Sequence, residues 1–571
     1  EAYRFLRRVE HRLQMMADQQ THTLPSNQLD LSRFARFAAY KQLADFERDL
    51  RGHMQRVQEH YAALFETVPE LTPGSVRGSL VFTGVSDDPD TVATLRKLGY
   101  KNPAAAIAAI KGWHYGRYRA MRSARAREIL TEFTPALLEA LGGTGDPDLA
   151  LATFDSFLKE VPTALQLFSM LRANPELLRL IAQIMGSAPR LAHILGRRRA
   201  VMDGILDPGY LSSRHSAEEL KGLIHREVMD ARSYEDRLNL ARILGQEQAF
   251  AIGVQLLTGE LSPAEAVEAY SLLAEALIEV LLDTVQAFYG GTHPLPAVIA
   301  MGKLGGREMT AASDLDLIVV YDASGEKAAQ ASQHYARLTQ RLISALSAQT
   351  AEGALYQVDL RLRPSGKAGP VAVRLDSFLG YQRDEAWTWE HLALTRARPV
   401  AGPREIRERL ESLIREVLTM RRVRAKVAAD VREMRALIEK EKGTADLWDT
   451  RNYKGGLVDV EFVAQFLQIV HAADDPSILS TNTMQALRNL TASGILSAAQ
   501  SSSLLRAAEL YQGVAHILRL CTEGRFDLAA APGDLISLLL RTTGEPDIAR
   551  LEARLNDSYA EVAQLFAAIV A

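Results

Sequence analysis

Apolar positions recur at helical spacing through the first half of the chain, from residue 1 to about 290. Leu165, Leu167, Phe168 and Leu171 are one such stripe. Breakers are few: Leu24-Pro25-Ser26-Asn27, Gly142-Gly143-Thr144-Gly145 and Asp207-Pro208-Gly209, with a stretch rich in Gly, Pro, Ser and Asp between Pro69 and Asp90 that predicts a linker. Ser262-Pro263-Ala264-Glu265 has the pattern of a capping box with proline at the first helical position. Val267, Tyr270, Leu273, Leu277, Leu281, Val285 and Phe288 then predict the buried stripe of a long helix, which Gly290-Gly291 should end.

The period changes after Pro294. Ala297–Met301, Leu315–Tyr321 and Leu355–Leu362 read as strands. A helix between the last two has Tyr335, Leu338, Leu342 and Leu346 on one face. Another is expected around Glu385–Leu392, leading to an extended Leu394–Val400, and beyond Pro403 the pattern is helical again to Ala571. The expected fold is mostly α with one α/β module. The expected domains are a helical segment (1–68), a linker (69–90), a helical middle (91–290), the α/β module (291–403) and a C-terminal helical domain (404–571). Leu6, Val9, His11 and Leu13 echo Tyr511, Val514, His516 and Leu518 at a constant offset, which would fit a duplicated architecture.

Composition narrows the function classes. A chain of 571 residues needs several cores. With 47% hydrophobic and 24% charged residues and a net charge of −4, it has no global basic field to draw it to nucleic acid or membrane. The basic and aromatic run from Trp113 to Arg119 stands on a helical pattern and is read as a solvated or interdomain face. The single cysteine, Cys521, lies among leucines and reads as core; one thiol makes no intrachain disulfide, so a reducing cytoplasm is expected. Glu1 stands inside a helical pattern without an initiator methionine, so a piece of a longer polypeptide is expected.

The candidate chemistry is concentrated in Met301–Asp322. Side chains alternate along a strand, so residues i and i+2 share a face about 6–7 Å apart. Asp314 and Asp316 therefore sit together while Leu315, Leu317 and Val319 face the core. Two carboxylates this close repel one another unless cations join them, and Mg²⁺ prefers such hard oxygens. The strand around Asp359 has the same logic: Gln357, Asp359, Arg361 and Arg363 share the polar face. Asp359 can complete a three-carboxylate site, and Arg361 and Arg363 suit phosphate oxygens. Gly305-Gly306 would let backbone N–H groups approach phosphates, with Lys303 and Ser313 adding a charge and a hydroxyl. Two cations in such a site would serve the attacking and leaving oxygens of an in-line displacement. Asp459 and Glu461 after Gly455-Gly456 either reach this site or sit at a helix N-terminus for electrostatic reasons. Trp387 and Trp389 are read as core.

These residues resemble those of the DNA-polymerase-β-type nucleotidyltransferases. More narrowly, Gly302-Lys-Leu-Gly-Gly306, Ser313-Asp-Leu-Asp-Leu317, Val358-Asp-Leu-Arg-Leu-Arg-Pro-Ser-Gly366, Asp384-Glu-Ala-Trp-Thr-Trp-Glu-His391, Arg396-Ala-Arg398 and Gly455-Gly-Leu-Val-Asp-Val-Glu-Phe462 are similar to bacterial glutamine synthetase adenylyltransferases. The resemblance covers essentially the whole chain. It implies two nucleotidyltransferase modules in the family, one removing AMP from glutamine synthetase and one adding it from ATP. The module here would be the second, adding one, with Glu1–Pro25 the tail of the helices that follow the first. It further implies Mg²⁺ on Asp314, Asp316 and Asp359, with Asp359 a possible general base. Lys303, Gly305, Gly306, Ser313, Arg361 and Arg363 would line the nucleotide. Glutamine synthetase is the implied protein substrate, and the PII signal-transduction protein and glutamine are the implied regulators.

Overall fold

The computed structural model describes residues 2–17, 24–25, 27–66, 80, 82, 87–114, 118–121, 123–161, 164–197, 201, 216–323, 328–350, 352–522 and 524–571. Most of the expected linker, Asp207-Pro208 and residues 115–117 of the basic and aromatic run lie outside these. The chain divides into two compact units, Glu1–Ser187 and Ala188–Ala571.

The described part of the first unit is helical. Helices Ala2–Ala17, Gln28–Phe37 and Leu43–Glu66 close on Phe5, Val9, Leu13, Phe34 and Phe46. Further along, Trp113, Phe133, Phe154 and Phe168 are fully buried. Trp113 donates its indole N–H to Asp155 at 2.7 Å, and the Tyr118 hydroxyl donates to the same carboxylate. Trp113 and Tyr118 of that run thus turn into the core.

In the second unit, α1 (Pro189–Arg197), α2 (Tyr234–Thr258) and α3 (Pro263–Tyr289) precede the sheet. The capping box of α3 forms as read: Ser262 Oγ accepts from Glu265 N while the Glu265 carboxylate accepts from Ser262 N at 2.9 Å. Its stripe is buried from Val267 to Val285, but Phe288 is 41% exposed. Phe288 lies one residue from the helix end, beyond the packed stripe, and meets Tyr234 edge-on.

Five short strands follow: β1 (Ala297–Ala300), β2 (Leu315–Tyr321), β3 (Val358–Asp359), β4 (Ala372–Arg374) and β5 (Arg398–Ala401). The order is β3-β2-β1-β5, with β4 also paired to β2. β1 runs antiparallel to β2 and β5, whereas β3 and β4 run parallel to β2 at successive points of one edge. The apolar run of β2 is buried on the core side, and α4 (Gly302–Gly305) turns the chain between β1 and β2. The helix α5 (Ala328–Ser347) buries Tyr335, Leu338, Leu342 and Leu346, as its spacing predicts.

The third strand was expected over eight residues and is two. Arg363 does not continue the polar face of a strand. Its guanidinium is buried and donates to the carbonyls of Leu360, Lys367 and Gly369, folding the chain into a tight loop. β4, unanticipated, takes up the β2 edge beyond that loop. The helix expected around Glu385–Leu392 is α7 (Thr388–Leu394), preceded by an unanticipated helix, α6 (Leu375–Asp384), and the extended stretch begins only at Arg398. Trp387, read as core, is 71% exposed between them.

The C-terminal region includes α8 (Arg424–Lys442), α9 (Leu457–His471), α10 (Ala498–Cys521) and α11 (Ile548–Ile569). Cys521 is buried there, as read. Among the described residues, no helix is long and apolar enough to cross a membrane.

Asp459 resolves to a structural role. It is buried in the first turn of α9, accepts from Gly455 N at 2.6 Å and pairs with the buried guanidinium of Arg435. Truncating it leaves that buried cation, among the described residues, only a 3.5 Å contact to Glu439 and takes the acceptor from a buried amide. Asp459→Ala is expected to destabilise the unit 188–571 by about 3–5 kcal/mol in urea unfolding; a change below about 1 kcal/mol would place the pair in the class of solvated surface contacts.

Candidate active site

The sheet register brings the three predicted carboxylates together. Asp316 of β2 lies directly opposite Asp359 of β3, and Leu315 N donates to Gln357 O at 2.9 Å, locking that alignment. Asp314 sits one residue before β2. Oxygens from Asp314, Asp316 and Asp359 all lie within 4.8 Å of one another. The carboxyl of Asp316 is pushed up to about 6, by burial first and then by the charges of Asp314 and Asp359. Asp359 moves the other way. The Arg361 side chain holds it below the usual carboxylate range: Arg361 Nε and Nη2 lie 2.7 and 2.5 Å from Asp359 Oδ2, and Arg361 N donates to Oδ1 at 2.8 Å. Three hard oxygen donors that resist sharing one spot as bare anions fit a divalent cation.

The glycines divide differently from the expectation. Gly305 and Gly306 are buried against Arg396: a side chain on Gly305 would run into the Arg396 carbonyl, and one on Gly306 would lie 2.6 Å from Arg396 Nη2. The glycine that touches the carboxylates is Gly302, whose φ of +54° is a left-handed conformation and whose Cβ would collide with Asp316 Oδ2. Its position immediately after β1, ahead of Lys303, was the available signal. Ser313 is buried, and its hydroxyl accepts from Thr310 N at 3.0 Å and lies 2.8 Å from Thr310 Oγ1.

Behind the Gly302–Gly306 turn stands a buried ion network. Arg396 pairs with Glu308 at 2.5 Å and with Glu461 at 2.9 Å. Arg398 pairs with Glu275 at 2.6 Å and donates to the carbonyls of Leu304 and Gly305. Glu461 therefore does reach this region from α9, unlike its neighbour Asp459, and it also meets Arg451 at 3.3 Å.

Beside this turn lies a cavity of about 460 Å³. Lys303, Glu308 and Thr310 line one side, and Arg451, Glu461, His516 and Arg519 line the other. The three carboxylates do not line it, but Thr310 of its lining bonds Ser313, the residue before Asp314. Lys303 is pulled down to about 7, by burial first and then by the guanidinium groups of Arg519 and Arg451. His516 is kept neutral, its ring lowered to about 3 by burial and by the charges of Lys303 and Arg519. Arg451 and Arg519 escaped the sequence reading because both lie outside the module, about 50 and 115 residues beyond its end, with no local pattern tying them to it.

A small mixed sheet with Asp314-x-Asp316 on one strand and a third carboxylate on its parallel neighbour, flanked by helices, defines a nucleotidyltransferase domain of the DNA-polymerase-β type. The family described as glutamate-ammonia ligase adenylyltransferase matches residues 178–413, and the one described as PII-uridylyltransferase matches both 1–65 and 422–570. A bifunctional glutamine synthetase adenylyltransferase/adenylyl-removing enzyme of Mesorhizobium japonicum is 46% identical over 99% of this chain and 58% of its own length. Proteins of the same name from Rhodopseudomonas palustris and Rhizobium meliloti are 43% and 44% identical, each over 100% of this chain and 59% of their own length. The chain belongs to the glutamine synthetase adenylyltransferase family and spans under two thirds of these relatives.

Gly302→Ala is expected to displace the Asp316 carboxylate while leaving the fold intact. Thermal unfolding with and without Mg²⁺ checks this: a stabilisation by Mg²⁺ is expected of the wild type and should disappear in the variant, and an undiminished increment would contradict the placement of Gly302 against the site.

Proposed function

We propose that this chain transfers AMP from ATP to a tyrosine hydroxyl of glutamine synthetase, releasing pyrophosphate. The observation that carries the reading is the trio Asp314, Asp316 and Asp359 on adjoining strands, next to a cavity rich in cations. The acceptor comes from the names of the relatives. The tyrosine oxygen bonds to the α-phosphorus as the bond to the bridging oxygen breaks. Pyrophosphate leaves with the electron pair, and the hydroxyl proton passes to a base.

Asp314, Asp316 and Asp359 hold Mg²⁺, two ions in our reading. Bound there, divalent cations neutralise phosphate charge and favour deprotonation of a hydroxyl whose unperturbed pKa is about 10. Held ionised by Arg361, Asp359 serves the cations better than it serves the proton. Lys303 lines the cavity that receives the phosphates, and Gly302, lacking a Cβ, leaves room for the Asp316 carboxylate. Arg361 lies at the mouth of the site, its side chain two-thirds exposed, and can exchange Asp359 for a phosphate oxygen. Arg363, with its guanidinium spent on carbonyls, supports the loop that carries Arg361.

We further assign residues 291–403 to the adenylylating module and 91–290 to a regulatory region through which PII protein and glutamine act, in the cytoplasm. The match of residues 1–65 and 422–570 to one family supports this module as the second of two copies. The relatives' double name keeps phosphorolytic AMP removal as the second reading.

Label from α-labelled ATP should appear on purified glutamine synthetase with the wild-type chain and fall at least 100-fold with Asp314→Asn, in line with the cost of losing one charge-stabilising group. Release of ADP from adenylylated glutamine synthetase on adding orthophosphate, without incorporation from ATP, would instead make the chain the removing enzyme. Wild-type rates in Asp314→Asn would end the metal-site reading.

A further inference from the structure

The charges around the 460 Å³ cavity do not balance locally. Its acidic lining is largely spent. Glu308 and Glu461 both pair with Arg396 behind the wall, Glu461 also serves Arg451, and Asp446 pairs with Arg525. Asp449 accepts from the side chain and backbone of Asn452. Three lining cations, Lys303, Arg190 and Arg519, have no ion pair among the described residues. Arg190 has a buried Nε with no hydrogen-bond partner. Among the described residues Arg519 donates only to Thr310 Oγ1, at 3.3 Å, and Thr310 in turn bonds Ser313, the residue before Asp314. Arg519 is lowered by burial first, then by Arg451, with Arg190 contributing in the same sense against the opposite pull of Asp314 and Asp449. Holding like charges together without an anion costs free energy that a polyanion would return.

Arg190 and Arg519 come from outside the sheet. Arg190 stands in the first turn of α1, about a hundred residues before β1, and Arg519 in the last turn of α10. Both helices are pinned: Leu191 and Leu195 of α1 are buried, and Leu191 and Leu520 both close on Gly253 of α2. The volume lies within the roughly 300–1,000 Å³ typical of small-molecule sites.

We propose that the β- and γ-phosphates of the nucleotide lodge in this cavity against Arg190 and Arg519, so that helices before and after the module in sequence complete its triphosphate site. This rests on the ATP reading above. It makes the pyrophosphate end of ATP, rather than the nucleoside, the part that senses where α1 and α10 stand. A chain carrying only residues 291–403 would keep the carboxylates and lose two of the phosphate cations.

The test is equilibrium binding of ATP, AMP and inorganic tripolyphosphate to the full chain by calorimetry. Arg190→Gln and Arg519→Gln should each weaken ATP and tripolyphosphate about tenfold, the scale of one charge-assisted hydrogen bond. AMP affinity should stay within about twofold, below the scale of such a bond, and Arg190→Lys should recover part of the ATP loss. Unchanged ATP affinity in both Gln variants, or equal losses for ATP and AMP, would overturn the proposal while leaving the nucleotide reading intact. A wild-type chain that binds tripolyphosphate but not ATP would instead remove the nucleotide reading and with it the assignment of this cavity to ATP.

Discussion

Three carboxylates held within a few ångströms of each other are a state that a protein must build deliberately. The parallel pairing of β3 with β2 does this by placing Asp359 across from Asp316, and the alternation of β2 adds Asp314 on the same side. The consequence is visible in Asp316, whose acidity is weakened toward neutrality when no cation is present. Slipping β3 by one residue would turn Asp359 to the other face and remove the crowding. The remaining features of the module either fix that register or answer the charge it creates.

Fixing it takes a second layer of ions. Arg396 and Arg398, on the segment entering β5, reach back to Glu308, Glu461 and Glu275 and to the carbonyls of Leu304 and Gly305. These bonds join the sheet to α3 before it and α9 after it. Buried pairs of this kind contribute little net stability but are costly to break, so they specify one arrangement. Gly305 and Gly306 belong to that layer, since they let the turn press on Arg396, while Gly302 belongs to the layer facing the reaction.

How much of this was legible depended on range. The long helices, the β2 strand, the capping box of α3 and the Asp314-x-Asp316 pair follow from spacing within a few residues, and Asp359, some forty residues on, follows from the alternation around it; the structure brings the three carboxylates together. The short β3 was not legible, because its end is set by Arg363 finding carbonyls in a loop rather than by any break in alternation. Nor was the division of labour between Gly302 and the Gly305-Gly306 pair, which depends on Arg396 about ninety residues away. Asp459 and Glu461 are two residues apart on α9 and both acidic, yet one pairs with Arg435 and the other joins the network behind the Gly302–Gly306 turn. Only the packing of α8 and α9 on their different neighbours distinguishes them.

The central claim is that the three aspartates form one cation site that a nucleotide completes. Counting bound Mn²⁺ by electron paramagnetic resonance, in the presence of a non-hydrolysable ATP analogue, tests it most directly. The account predicts two ions per chain, falling to one or none when Asp316 is replaced by asparagine. An unchanged count in that variant, or no nucleotide-dependent ion in the wild type, would contradict it.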